Sequence, residues 1–261
     1  MEENIKMRKS AAAQKLELLY LDRWIAVVNK PEGLLSVPYS GCKSHTAQSL
    51  LEQILRKQGV VNSRHHPYAV HRLDRETSGV MMFAMTEQSQ KVIMDSWYSM
   101  VTQRLYRALA EISAYAKKNP LSDSGLIDDE LAMNAYNIGF VPKPGELDKK
   151  GHKFKTVPAR THYTILESNS FYALFELSLD TGKKNQIRAH LAFHGYPLAG
   201  DFEHRAHSSP FNRLCLHACS LEFTHPFTHE NLKFEVPEPE EWRKIIKKED
   251  FRLKEYKKHQ K

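Results

Sequence analysis

The chain has 261 residues, of which 41% are hydrophobic, 26% charged and 10% aromatic, a composition that excludes global disorder, collagen-like repeats and coiled coil and leaves enough apolar side chains for a core without staples. Lys plus Arg outnumber Asp plus Glu by 38 to 31, a formal net charge of +7 that favours a polyanionic partner, either nucleic acid or a membrane surface. Cys42, Cys215 and Cys219 make no even framework and read as reduced thiols of a cytoplasmic protein, while no apolar run reaches the roughly 18 residues of a membrane span and no secretory h-region opens the chain.

Residues 1–15 are polar and Ala-rich without hydrophobic periodicity, and are expected to form a flexible leader. Leu18 to Tyr20 and Trp24 to Val28 are β-rich runs around an Asp22-Arg23 turn, the second stopped by Pro31 and Gly33. Leu50, Leu51, Ile54 and Leu55 follow the helical period within Thr46 to Lys57, with Gly59 as the stop. Val80 to Met85 is short, apolar and bounded by Gly79 and Thr86, which predicts a buried strand followed by a helix capped at Thr86. That helix carries Val92, Ile93, Trp97, Met100 and Val101 on one side. Leu105 to Ile112 alternates, with Tyr106, Ala108 and Ala110 on one face and Leu105, Arg107 and Leu109 on the other.

From Ser113 to Arg160 the prolines, glycines and lysines predict a long, partly ordered excursion from the core. A hairpin is expected from Thr161 to Leu166 and Phe171 to Asp180, then a short helix from Gln186 to His194 ending at Gly195, and strands at Leu214 to Phe223 and Leu232 to Val236. The stretch from Glu240 onward sets Trp242, Ile245, Ile246 and Leu253 among lysines, the pattern of a docking helix with a wet basic face. Cys215, His217 and Cys219 fall in an alternating strand and read as packing rather than a zinc set. Helices and strands are interspersed without regular βαβ alternation, which predicts an α+β domain with a central, largely antiparallel mixed β-sheet flanked by helices. Neither G-x-G-x-x-G nor G-x-x-x-x-G-K-[ST] occurs, so nucleotide-cofactor chemistry lacks its usual signature.

Two polar clusters can carry chemistry. His71-Arg72-Leu73-Asp74-Arg75-Glu76-Thr77-Ser78-Gly79 lies between apolar segments, a place where a loop is both held and open to solvent. Positive neighbours favour the ionised form of a carboxylate, so Asp74 beside Arg72, Arg75 and His71 suits a nucleophile or base rather than an acid. Thr181-Gly182-Lys183-Lys184-Asn185-Gln186-Ile187-Arg188-Ala189-His190 sits where a strand turns into a helix, so amides and cations converge on a spot suited to phosphate. Arg188, placed one to two turns into that helix, needs an anionic partner, and Asp74 is the carboxylate chosen for it.

With these residues in place, His71-Arg72-Leu73-Asp74 and Thr77-Ser78-Gly79 resemble the signature of the RluA-type family of RNA pseudouridine synthases. Val28-Asn29-Lys30-Pro31-Glu32-Gly33-Leu34, Leu105-Tyr106-Arg107-Ala108, Gly182-Lys183 through Gln186-Ile187-Arg188-Ala189-His190-Leu191, Leu216-His217-Ala218 and Thr224-His225-Pro226 extend the resemblance in order. It implies one pseudouridine synthase catalytic domain over residues 16–239, with an insertion at 113–160 and a basic tail at 240–261. It also implies isomerisation of a uridine already in RNA without cofactor or metal: the N1 glycosidic bond breaks, the base rotates, and C5 joins C1′. By the same resemblance Asp74 is the essential carboxylate, Tyr106 stacks on the target base and helps remove the C5 proton, and Arg188 pairs with Asp74. Arg72 enters the RNA stack when the target leaves it, and His71, Arg75, Lys30, Lys183 and Gln186 are expected to bind RNA. The partner expected is ribosomal or transfer RNA, bound by a cytoplasmic monomer.

Two departures from the family pattern stand out. Gly182-Lys183-Lys184-Asn185 replaces Gly-Arg-x-His, which keeps charge at Lys183 but loses bidentate geometry and puts a group that does not titrate at Asn185. About seventeen residues precede the first strand, so the separate N-terminal RNA-binding domain of many relatives is expected to be absent. Two other readings compete: a metal-dependent RNA hydrolase, prompted by 14 histidines with His190 and His194 at i, i+4 spacing, and a non-catalytic RNA-binding module.

Overall fold

The computed structural model describes residues 15–41, 44–148 and 150–248. Nearly all of the leader, Cys42 and the tail beyond residue 248 lie outside the described residues. β1 (Glu17–Leu21) and β2 (Ile25–Lys30) form the expected hairpin, its turn fixed by Asp22, whose Oδ1 accepts the amides of Trp24 and Ile25 at 2.7 Å each. α1 (Ala47–Lys57) starts in a capping box in which Thr46 and Ser49 exchange side-chain bonds with each other's amides. β3 (Tyr68–Ala69) and β4 (Ser78–Ala84) flank the loop that carries Asp74, and α2 (Glu87–Met100) follows its predicted cap at Thr86.

β5 (Val101–Glu111) begins four residues before the predicted strand because Thr102 and Gln103, polar and exposed, hide the alternation there. α3 (Ala114–Lys118), β6 (Ser124–Ile127), β7 (Leu131–Met133), β8 (Gly139–Phe140) and β9 (Thr156–Val157) occupy the expected excursion. It stays on the core rather than leaving it: β6 pairs with β10 (Thr161–Ser168), and β7, β8 and β9 make a small sheet lying against α4 (Gln186–Phe193). β11 (Tyr172–Leu179), β12 (Leu216–Thr224) and β13 (Asn231–Glu235) complete the strands.

The main sheet runs β1-β2-β4-β12-β5-β11-β10-β6, with β3 added to β4 and β13 to β12, and every pairing but β4 with β12 is antiparallel. β2 and β4 are buried on both faces, as their unbroken apolar runs require. Ala26, Val28, Met81 and Phe83 pack against Leu51 and Leu55 of α1, whereas Ile25, Val27, Val80 and Met82 pack against Ile93 and Met100 of α2. The parallel pairing fixes the site. Gly79 (φ +116°) lies so close to β12 that a Cβ there would sit 2.1 Å from the Ala218 carbonyl oxygen, so only glycine allows the contact. Ala218 in turn faces Tyr106 on β5, and the row Gly79, Ala218, Tyr106 brings the end of the Asp74 loop beside the tyrosine.

Residues 240–248 are helical and dock on the sheet, burying Trp242 and Ile246 against Leu109, Leu174, Ala199 and Cys215, with the Arg213 guanidinium 5.6 Å from the Trp242 ring centre. Burial pushes the Cys215 thiol up to about 12 and the Cys219 thiol to about 11. Between them His217 donates from Nε2 to Val236 O (3.0 Å) and takes the Ser78 hydroxyl at Nδ1 (2.8 Å), so both ring nitrogens are engaged within the fold. Among the described residues no helix is long and apolar enough to cross a membrane.

Candidate active site

The backbone on either side of Asp74 is held from beneath. Ser36 Oγ donates to Leu73 O at 2.6 Å and accepts the Leu73 amide at 3.1 Å. Lys30, fully buried, donates all three ammonium protons to carbonyls: Pro31 O (2.9 Å), Leu34 O (2.7 Å) and Arg75 O (3.1 Å). Burial pulls its pKa down to about 7 against the attraction of Glu76, Asp74 and Glu32. Lys30 thus lies beneath the loop, with its three protons on backbone carbonyls. His71 too is held inside the fold. Its Nε2 accepts the Met82 amide at 2.9 Å, its ring lies 4.8 Å from Trp97, and burial beside Arg104 draws it down to about 3, so it is a neutral tie between loop and sheet.

Across the cleft, β11 turns into α4 through a segment organised by Gln186. Its Oε1 accepts the Thr181 hydroxyl (2.8 Å) and the Lys183 amide (3.0 Å), and its Nε2 donates to Arg160 O (2.9 Å) and Thr161 Oγ1 (3.0 Å). With every polar valence engaged within the fold, Gln186 shapes the turn. Arg188, in the first turn of α4 rather than the second, points its guanidinium at three carboxylates. Nε and Nη2 bind Asp201 in a fork at 2.7 Å each, Nη2 also reaches Glu203 at 2.6 Å, and Nη1 lies 3.4 Å from Asp74 Oδ2. The same Asp74 oxygen accepts Asn185 Nδ2 at 2.9 Å. Burial opposes charge at both ends of the fork. Even so, Asp201 and Glu203 push the arginine up, while the bonds from Arg188 and His204 hold Asp201 at about 2.

These groups line one cleft of about 450 Å³, floored by Leu73, Thr77, Tyr106, Leu179, Ile187 and Leu216, with Asp74 on one wall and Asn185 and Arg188 on the other. Arg72, Lys183 and Lys184 are exposed at its mouth. Arg75 is exposed too, but its guanidinium is turned onto Glu76 at 2.9 Å and does not line the cleft. Burial pushes the Tyr106 phenol up, opposed by Arg104 and aided by Asp74, so its ring presents a neutral aromatic face.

The expectations missed Asp201 and Glu203, which only the fold returns to Arg188, and treated Asn185 as a loss, although an asparagine next to Gln-Ile-Arg was the available signal. The hydrolase reading finds no ligand set at its histidines. His190 spends Nδ1 on Thr161 Oγ1 and Nε2 on Asp129 O at 2.9 Å each, and His194 pairs with Asp129 at 2.7 Å. Asp201, Glu203 and His204 form the one grouping among the described residues compact enough for a cation, and the Arg188 guanidinium already lies on its carboxylates.

A half-buried carboxylate bonded by an arginine shares its cleft with a tyrosine ring, and the cleft is entered past cations, an arrangement suited to an enzyme that acts on a polyanion. Residues 25–193 match the RNA pseudouridylate synthase family. The chain is 31% identical over 242 residues to YlyB of Bacillus subtilis, described as an uncharacterized RNA pseudouridine synthase, covering 90% of this chain and 73% of that one. It is 32% identical to the ribosomal large subunit pseudouridine synthase D of Neisseria meningitidis serogroup A, of which it spans 59%, and 28% identical to the tRNA pseudouridine synthase C of Vibrio parahaemolyticus, of which it spans 95%. The solved structure of human RNA pseudouridylate synthase domain containing 4 shares the fold, with a TM-score of 0.67 over 87% of this chain and 90% of that one at 23% identity. The chain belongs to the RNA pseudouridylate synthase family, in its RluA-type branch, and is an isomerase of uridine in RNA.

Proposed function

We propose that the chain converts uridine in a structured loop or stem of ribosomal or transfer RNA to pseudouridine, with Asp74 as the reacting carboxylate. The observation that carries this reading is the convergence of Asn185 Nδ2 and Arg188 Nη1 on one oxygen of Asp74. Among the described residues its other oxygen accepts no hydrogen bond, which leaves Oδ1 for the sugar or base of the substrate. Tyr106, protonated under ordinary conditions, supplies a stacking face for the extruded base, a contact of about 1–3 kcal/mol. Lys183 and Lys184 meet the phosphates. When the target base leaves its helix, Arg72, exposed at the rim, fills the vacated place in the stack with its planar guanidinium. Arg75 stands outside the cleft and joins the peripheral positive field. The chain is read as a cytoplasmic monomer, the free buried thiols at Cys215 and Cys219 supporting a reducing compartment.

Mapping pseudouridines in ribosomal and transfer RNA from cells with and without the gene tests the reading: one or a few positions are expected to revert to uridine, and an unchanged map in both RNAs contradicts it. For the rim, Arg72→Ala is expected to cut turnover on a structured RNA about tenfold or more while changing it less than about threefold on a short unpaired oligomer, because only the former must be unstacked. Equal losses on both substrates would remove the stacking role.

A further inference from the structure

The insertion and the catalytic wall meet at Asn185. This residue stands at the start of α4 with φ 57°, a left-handed conformation that asparagine tolerates, and is almost fully buried. Its Oδ1 accepts the amide of Gly139 on β8 at 3.1 Å. A backbone N–H can only donate, so the carboxamide oxygen is fixed on Gly139 and the NH2 is thereby aimed at Asp74 Oδ2, 2.9 Å away.

Nothing in this contact has slack. A Cβ on Gly139 would lie 2.3 Å from Lys184 O, so β8 rests directly on the backbone beside Asn185. His204 Nε2 donates to Gly139 O at 2.8 Å, and the Lys184 ammonium reaches Asn137 O on the turn before β8. That turn is itself built tightly: Asn134 Oδ1 accepts the amides of Tyr136 (2.9 Å) and Ile138 (3.0 Å), and Asn137 lines the cleft.

We propose that Asn185 is a positioning residue for Asp74 and that the β7–β8 hairpin sets its orientation, so that an inserted element far away in sequence aims the reacting carboxylate. The proposal rests on the reading of Asp74 given above, and its test keeps the two apart.

In single-turnover tritium release from RNA labelled at uridine C5, Asn185→Ala is expected to lower the rate at saturating RNA about 10- to 100-fold, the loss of one hydrogen bond to a charged group, with RNA affinity changed less than about twofold. Asn185→Asp is expected to carry a pH signature: while the introduced carboxyl and Asp74 share a proton, the new side chain still donates to Asp74, and the rate falls as pH rises and that proton leaves. Gly139→Ala, at a residue that does not line the cleft, is expected to slow the reaction by the same route, so Gly139→Ala with Asn185→Ala should be no slower than Asn185→Ala alone. Multiplying losses, an unaffected Asn185→Ala, or an Asn185→Asp whose profile keeps the wild-type shape would each overturn the proposal.

Hydrogen exchange decides it without catalysis. The Asn185 side-chain amide protons are expected to exchange slowly in the wild type and faster in both Asp74→Ala and Gly139→Ala, whereas exchange unchanged in either variant would sink the link. Absence of tritium release from the wild type would count against the isomerase reading alone and leave this second result to stand.

Discussion

Asp74→Asn is expected to abolish release of C5 tritium, a fall of at least about a thousandfold or roughly 4 kcal/mol of barrier, while RNA affinity stays within about threefold of wild type. The substitution keeps the shape that Asn185 and Arg188 surround, and it leaves the Leu73 and Arg75 peptides on Ser36 and Lys30 undisturbed, so the loop keeps its place. What it removes is the charge and lone pairs on the oxygen facing the cleft. Because affinity comes from cations at the mouth and from stacking, while Asp74 acts on the reacting atoms, the two measurements should separate cleanly. Full activity in the variant would remove Asp74 from the chemistry, and a parallel loss of binding would make it a binding residue instead.

Asp201→Asn is expected to cost stability as well as rate. The Asp201 side chain has no exposed surface and forms a two-bond fork with Arg188, whose side chain is 7% exposed. Breaking a buried pair while keeping one charge typically costs about 3–5 kcal/mol, a large share of the stability of any domain. Glu203, more than half exposed, is a poor substitute, since water screens what it offers. Released from the fork, Arg188 also loses the orientation that holds Nη1 by Asp74, so turnover should fall even where the variant is fully folded.

The pH dependence has a definite sign. The Asp201 carboxyl is held at about 2 in the folded chain against its ordinary 3.8, so its contribution is present above about 4 and is lost as pH falls toward 2. Urea unfolding of wild type and Asp201→Asn should therefore show a gap in midpoint that is widest near neutral pH and narrows between about pH 4 and pH 2. Equal midpoints at pH 7 would contradict the role given to the fork.

Much of the site was legible because its groups fall in two dense polar runs between apolar ones. Asp74 and Arg188 were paired from charge, whereas period-2 alternation put Tyr106 on its strand face and only the family resemblance gave it to the site. Other parts carried no local signal. Asp201 follows Gly200 in a turn, and only the return of that turn under α4 makes it the partner of Arg188. Lys30 was given to RNA through the family resemblance, and no local pattern showed that three carbonyls converge on it and hold it inside. His71 and Gln186 sit within the motif runs and were given to RNA for that reason, whereas their hydrogen bonds go to the fold. The excursion at 113–160 read as leaving the core because its strands β7, β8 and β9 are two or three residues long, too short for alternation to register. Their placement depends on β8 meeting Asn185 and His204, a contact made across the fold.

The most direct test of the account is tritium release from uridine-C5-labelled ribosomal and transfer RNA, incubated with the wild-type chain in EDTA and without added metal. Label is expected in the solvent in proportion to pseudouridine formed, from at least one of the two RNAs, with no strand cleavage. Strand cleavage that appears only when metal replaces the EDTA, with the label still on the bases, or intact RNA that is bound but keeps all of its label, would contradict it.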